Sequence, residues 1–133
     1  MLPAATLSIS IDRNWRDAYE AIWRPEAFAT WAAGLARANL RREGDLWKAD
    51  GVDGPIAIRF SDHNALGVLD HWVDAAGDGA FAIYVPMRLF ANGGGCEAAI
   101  TVYRQPEMSD AILTRDLGLV RDDLATLKKT LER

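Results

Sequence analysis

Two Asp-His pairs, Asp62-His63 and Asp70-His71, hold both histidines of the chain and carry its most obvious chemistry. A histidine facing a cavity can act as a general base when a carboxylate orients its ring, and paired Asp and His side chains also raise a metal site. Strand alternation weakens both ideas. Adjacent residues in a strand point to opposite faces, so Asp70 and His71 cannot form a dyad with each other, and the same rule disperses a ligand set. His63 falls at a turn tip, and neither a metal nor a cofactor is expected. Two registers are open around Asp70. A two-residue turn at His63-Asn64 pairs His71 with Ile56 and Leu69 with Ile58, facing His71 inward, whereas some registers of the Gly77-Asp78-Gly79 turn bring in Asp70 and Trp72. The inward His71 is preferred because Asp70 and Asp74 are then both solvated. The plainer reading of His71 is a ring that packs and hydrogen-bonds one neighbour.

The other reactive types carry less. Cys96 is the only cysteine, which excludes an internal disulfide and a cysteine-rich zinc site. Facing the interior beside Leu89, it reads as a small apolar residue with an inert thiol. Gly93-Gly94-Gly95 has the look of a phosphate loop but lies at a hairpin tip with no helix N-terminus after it. Arg88 and Glu97 read as an exposed cross-strand ion pair, worth at most ~1 kcal/mol. Five tryptophans are many for this length, and large aromatics either fill a core or line a pocket for apolar or ring-shaped ligands. Trp31, Trp47, Met87, Leu117 and Val120 would surround such a cavity, with Ile58, Phe60, His71 and Tyr84 as further ligand-binding candidates. The same set would serve equally as ordinary core.

Positioning these residues is work for one domain spanning 1–133. Half of the 133 residues are apolar and a quarter charged, the balance of a globular chain large enough for its own core. With 15 Lys and Arg against 19 Asp and Glu, nothing attracts phosphate backbones, so nucleic acid is not an expected partner. No apolar run approaches a membrane span, and Met1 to Ser8 has no signal-peptide pattern. A reducing cytoplasm is the natural setting.

The longest periodic element runs from Ser109 to Glu132. Leu113, Leu117, Val120, Leu124, Leu127 and Leu131 form one helical stripe, Ser109 can cap, and Lys128, Lys129 and Arg133 complement the dipole at the far end. Such a helix is roughly 36 Å long at 1.5 Å per residue and needs a broad apolar partner, the chain's own sheet in preference to a coiled-coil seam. Gly118 falls nearly opposite the stripe, with no packing reason evident. Upstream, Thr6 to Asp12 alternates as a first strand. Asn14 caps a short helix through Trp15, Tyr19, Ile22 and Trp23, and Pro25 opens a second with Phe28, Trp31 and Leu35 on one side and Gly34 as its stop. Between lie antiparallel strands at Ala38–Glu43, Leu46–Ala49, Pro55–Ser61, Leu66–Asp74, Ala80–Ala91 and Gly94–Gln105. A type I′ turn at Asn92-Gly93 sets Arg88 opposite Glu97, Leu89 opposite Cys96 and Met87 opposite Ala98, and buries Ile83, Val85, Met87, Leu89, Cys96, Ala98, Ile100 and Val102.

A curved antiparallel sheet with one long helix across it leaves a gap, which is a ligand cavity unless large side chains fill it. This layout resembles, over essentially the whole chain, the helix-grip fold of the START-like (Bet v 1-like) superfamily, also labelled SRPBCC or polyketide cyclase/lipid transport proteins. The resemblance implies an α+β fold: about seven curved antiparallel strands wrapped on a long C-terminal helix, with two short helices after strand one. Phe28-Ala29-Thr30-Trp31-Ala32-Ala33-Gly34-Leu35, Gly67-Val68-Leu69-Asp70-His71-Trp72-Val73, Val85-Pro86-Met87-Arg88 and Arg104-Gln105-Pro106-Glu107-Met108-Ser109-Asp110 are similar to a bacterial branch of that superfamily without assigned function. The superfamily holds carriers, receptors, cyclases, hydroxylase domains and chaperone activators, so three functional readings stand. The first is a protein that binds a small hydrophobic molecule, lipid-like or polyketide-like and aromatic, with His71 or Tyr84 orienting one polar group. The second is a cyclase or dehydratase-like enzyme in which His71 is catalytic and shuttles a proton, although a second positioned acid or base is missing. The third has a filled core and works through an exposed sheet face or a homodimer contact.

Overall fold

In a computed structural model of the chain, residues 1–32 and 36–133 are described, without the side chains of 36–38. The expected helix stop at Gly34 and the apolar Leu35 lie outside the described residues. Strand β1 (Ala4–Ile11) alternates exposed and half-buried positions and ends on buried Ile11. Asn14 caps α1 (Trp15–Ile22), its Oδ1 accepting from the N–H groups of Arg16 and Asp17. Pro25 opens α2 (Pro25–Trp31) at a position whose N–H would have no helical partner. Then come β2 (Ala36–Glu43), β3 (Leu46–Gly51), β4 (Gly54–Phe60), β5 (His71–Asp74), β6 (Ile83–Val85), β7 (Met87–Asn92), β8 (Gly95–Tyr103) and α3 (Asp110–Leu131). The strands form two antiparallel ladders, β1-β8-β7 and β2-β3-β4-β5-β6. The segment before β5 joins them: Leu69 N–H donates to Met87 O, and Leu89 N–H to Gly67 O, each at 2.9 Å.

α3 packs on the concave face. Val120, Leu124, Leu127 and Leu131 are buried against Met87, Leu89, Cys96, Ala98 and Ile100 in the main core. Each such side chain contributes roughly 2 kcal/mol of burial. Ser109 caps the helix, its Oγ accepting from Ile112 N–H at 3.1 Å. Leu113 and Leu117, from the N-terminal half of the same stripe, are only half-buried. Among the described residues no helix is long and apolar enough to cross a membrane.

Three local expectations are corrected. The last hairpin turns through Gly93-Gly94, with Asn92 opposite Gly95, so Met87 faces Ile100, Leu89 faces Ala98 and Phe90 faces Glu97. Asn92 stays in the ladder because its Nδ2 donates to Glu97 Oε1 at 3.0 Å, and Gly93 takes the left-handed φ of +55° as the first loop residue. The anticipated Arg88–Glu97 pair does not form: Arg88 reaches Asp70, and Glu97 accepts from Ser10. Secondly, the segment expected as one strand from Ala80 to Ala91 breaks at Pro86 into β6 and β7, which gives eight strands among the described residues. Thirdly, β5 pairs with β4 as Phe60–His71 and Ile58–Val73. The intervening loop is wider than a two-residue turn because Asn64 organises it, Oδ1 accepting from Leu66 and Val68 N–H and Nδ2 donating to Asp62 O and Val68 O. His71 faces inward, yet Asp70 and Asp74, expected in solvent, are 6% and 7% exposed. Asp74 takes the N–H groups of Gly77 and Gly79, and Asp70 has the partners described below.

Two glycines separate crowding from propensity. Gly67 has φ +72°, and a Cβ there would sit 2.1 Å from the Leu89 carbonyl oxygen at the junction of the ladders. Gly67→Ala is expected to cost more than about 2 kcal/mol. A Cβ at Gly118 meets nothing within 4 Å, so Gly118→Ala should gain about 1 kcal/mol of helix propensity. Urea denaturation of both variants checks the pair, and a neutral Gly67→Ala would contradict the junction geometry.

Candidate functional site

Between the concave face and α3 lies a cavity of about 220 Å³. Its apolar wall comes from Phe28 and Trp31 of α2, Ile58 of β4, Val73 of β5, Ile83 and Val85 of β6, Ile100 and Val102 of β8, and Val120 of α3. These strand residues share one face by alternation, and α2 closes one end. The β3–β4 turn, residues 51–55, borders the other side together with Asp116 and Asp123 of α3. Arg115 clasps that turn to the helix: Nη1 lies 3.0 Å from Asp53 Oδ1 and Nη2 2.7 Å from Oδ2, while Nε donates to Asp116 Oδ1 at 3.0 Å. The guanidinium holds the Asp53 carboxyl below its ordinary range.

Of the candidates read from sequence, Trp31, Ile58, His71, Tyr84 and Val120 line this cavity, whereas Trp47, Phe60, Met87 and Leu117 do not. Trp47 and Phe60 pack with Phe28, Ala49 and Ile58 in a second small cluster, and Phe28 meets Phe60 edge-on at 5.2 Å. Phe28 of α2 packs on that cluster, and Trp47 and Phe60 border a separate open groove beside Trp23, Arg24 and Pro25. Met87 is sealed in the main core at 1% exposure. Tyr84 borders the cavity, but its ring stacks on Trp72 and its hydroxyl donates to Asp70 Oδ2 at 2.6 Å. That bond to a carboxylate pushes the hydroxyl above its ordinary pKa and commits it.

Among the described residues, His71 keeps a ring nitrogen free of any hydrogen bond on this wall. It is 6% exposed, and its ring meets Phe28 edge-on at 5.3 Å. Nδ1 lies 3.3 Å from the Leu69 carbonyl oxygen, which can only accept, so Nδ1 carries the proton in this arrangement and Nε2 presents a lone pair. Burial among apolar groups lowers its pKa to about 4, against smaller opposing effects of the Leu69 carbonyl and the Asp70 charge. The ring is then neutral at pH 7, an acceptor more than a base. Asp70, on the opposite face, receives Met87 N–H at 2.9 Å, the Tyr84 hydroxyl and Arg88 Nη1.

His63 is committed elsewhere: its Nε2 lies 2.6 Å from Glu20 Oε1, and its ring sits against Tyr19 and Trp23. Cys96 is buried, which pushes its thiol pKa up. Among the described residues no three His, Cys, Asp or Glu side chains gather as a metal site requires. Sequence reasoning missed Phe28, Val73, Ile83, Val85, Ile100 and Val102 as residues of the apolar wall. The alternation already assigned to the last hairpin contained the signal for four of them.

No protein-family model matches the chain, and no curated protein matches it in sequence. Solved structures do match. XoxI from Bacillus cereus is 15% identical with a TM-score of 0.75, covering 98% of this chain and 96% of that one. Ara h 8.0201 is 9% identical with a TM-score of 0.71, covering 98% of each. DynU16, from the dynemicin biosynthetic locus, is 16% identical with a TM-score of 0.67, and the match covers 97% of this chain and 47% of that one. At these identities the likeness is one of fold: the chain has the helix-grip fold, in line with the START-like resemblance.

The buried ring has a measurable consequence for stability. As pH falls from 6.5, the ordinary histidine value, towards about 4, the unfolded chain takes up a proton at His71 that the folded chain does not. Stability is expected to fall across that window by on the order of 3 kcal/mol and to level off below it. Urea denaturation against pH, compared with His71→Phe, isolates this contribution from the carboxylates. Parallel curves for the two proteins would show that His71 titrates normally in the fold.

Proposed function

We propose that the chain binds a small hydrophobic, ring-containing molecule in the cavity between sheet and α3, in keeping with its resemblance to the polyketide cyclase/lipid transport-like branch of the START-like superfamily. The observation that carries this reading is the cavity itself: about 220 Å³ with a largely apolar wall in which His71 presents a ring nitrogen that makes no hydrogen bond among the described residues. A dry apolar cavity of about 150 Å³ admits benzene, so this one suits a molecule of about two fused rings. Apolar burial supplies affinity, and Phe28 and Trp31 offer aromatic surface. The cyclase reading would use His71 as a base near neutral pH, and the ring is too weakly basic and lacks an orienting carboxylate. The filled-core reading has to account for the open volume. Binding would take place in a reducing cytoplasm.

Native mass spectrometry of the freshly purified chain, with identification of anything released on denaturation, tests the reading. A retained apolar molecule, or stabilisation by members of a hydrophobic panel, is expected. At a hundredfold excess over Kd the stabilisation is about 2.7 kcal/mol, a rise of several degrees in Tm. Val120→Trp, which fills the cavity, should abolish that response at an overpacking cost of about 1–3 kcal/mol. A wild-type chain that releases nothing and responds to no member of the panel would remove the basis for a binding protein.

A further inference from the structure

Resting on the cavity reading, we infer that the site selects an uncharged ring compound carrying a hydroxyl, which donates its proton to His71 Nε2, and rejects the carboxylate of the same skeleton. The Nδ1 contact with Leu69 O leaves Nε2 as the acceptor of the ring, and among the described residues Nε2 has no hydrogen-bond partner. His71 lines the cavity, so a ligand that supplies a donor gains a hydrogen bond at Nε2 that a purely apolar ligand lacks. Trp31, on the same wall and 4% exposed, has an indole N–H that is buried without a partner. That indole N–H is sealed from the cavity, so the ligand must bring the donor for His71, and a hydroxyl is the smallest group that supplies it.

Charge points the same way. No Lys or Arg among the described residues lines the cavity, and the charged side chains at its border are Asp53, Asp116 and Asp123. The neighbouring guanidinium of Arg115 is already shared between Asp53 and Asp116. An entering carboxylate would shed its water with no cation to receive it, and would meet a lone pair at His71. His71 does not become that cation at neutral pH. A basic residue on the wall would have reversed this preference, and none of the described residues there is basic.

Isothermal titration of the full chain at pH 7 with naphthalene, 2-naphthol and 2-naphthoate holds ring size constant and varies the polar group. The expected order is 2-naphthol about tenfold tighter than naphthalene, one hydrogen bond's worth of discrimination, with 2-naphthoate weaker than both. In His71→Phe the ratio of 2-naphthol to naphthalene affinity should fall to about one. If that variant does not fold, the order of the three ligands on the wild-type chain still decides. Naphthoate binding as tightly as naphthol, or naphthol no tighter than naphthalene, would overturn the selectivity while leaving the cavity reading intact. Failure of all three, together with the wider hydrophobic panel, would overturn both.

Discussion

The Asp70 carboxylate sits where the two ladders of the sheet meet, and the geometry of everything around the cavity follows from that meeting. Pro86 has no N–H, so the strand beginning at Ile83 cannot continue its ladder unchanged. On one side of the proline β6 pairs with β5, and on the other β7 pairs with β8. Thr101 N–H still reaches Pro86 O at 3.0 Å, so the acceptor side stays joined to β8. The Met87 N–H, next in line, goes to Asp70 Oδ1, and Tyr84 and Arg88 complete the carboxylate's shell. Hydrogen bonds to an ionised group are roughly twice as strong as neutral ones, and three of them hold the bend that a proline alone would only permit.

A bent sheet cannot lie flush against a straight helix, and α3 shows where contact is lost. Its C-terminal half, from Val120 to Leu131, is buried in the main core. Leu113 and Leu117 belong to the same stripe but stand half-exposed, and the cavity begins at Asp116 and Val120. The stripe is therefore packed at its C-terminal end, while towards its other end the helix overhangs a space bordered by Asp116 and Val120 and not by Leu113 or Leu117. Arg115 and Asp53 bridge that overhang at the surface, where an ion pair adds little to stability but fixes the β3–β4 turn against the helix.

Much of this was legible because facing depends on parity alone. The last hairpin is shifted by two residues from the expected register and the β4–β5 pair by four, as the Met87–Ile100 and Phe60–His71 partners show. Both shifts are even, so every side chain kept its assigned face, and His71 lines the cavity although its cross-strand neighbour differs. What could not be read was set by contacts distant in sequence. The length of the loop after Phe60 depends on the four hydrogen bonds of the Asn64 side chain. Asp70 and Asp74 looked solvated because a carboxylate in an alternating strand usually is. Their partners are backbone N–H groups exposed by a proline break and a glycine turn, with a tyrosine and an arginine from other strands. Trp47 and Phe60 misled for a related reason: they have the right parity but pack in a separate cluster that Phe28 of α2 joins.

The adjacent Asp70 and His71 resemble a catalytic pair in sequence, and the fold divides them between two tasks. Asp70 faces donors only, which suits a group that must hold strands together. His71 faces apolar rings and an open space, with one carbonyl to fix its tautomer. Had the register moved by an odd number, the carboxylate would have entered the cavity and the imidazole would have been left at the Pro86 junction, where it offers no second oxygen for Met87, Tyr84 and Arg88 to share. The bend that forms the cavity and the neutrality of its polar group are thus two results of one choice of face along β5, and an apolar wall with the His71 acceptor set in it is what that choice leaves for a ligand to meet.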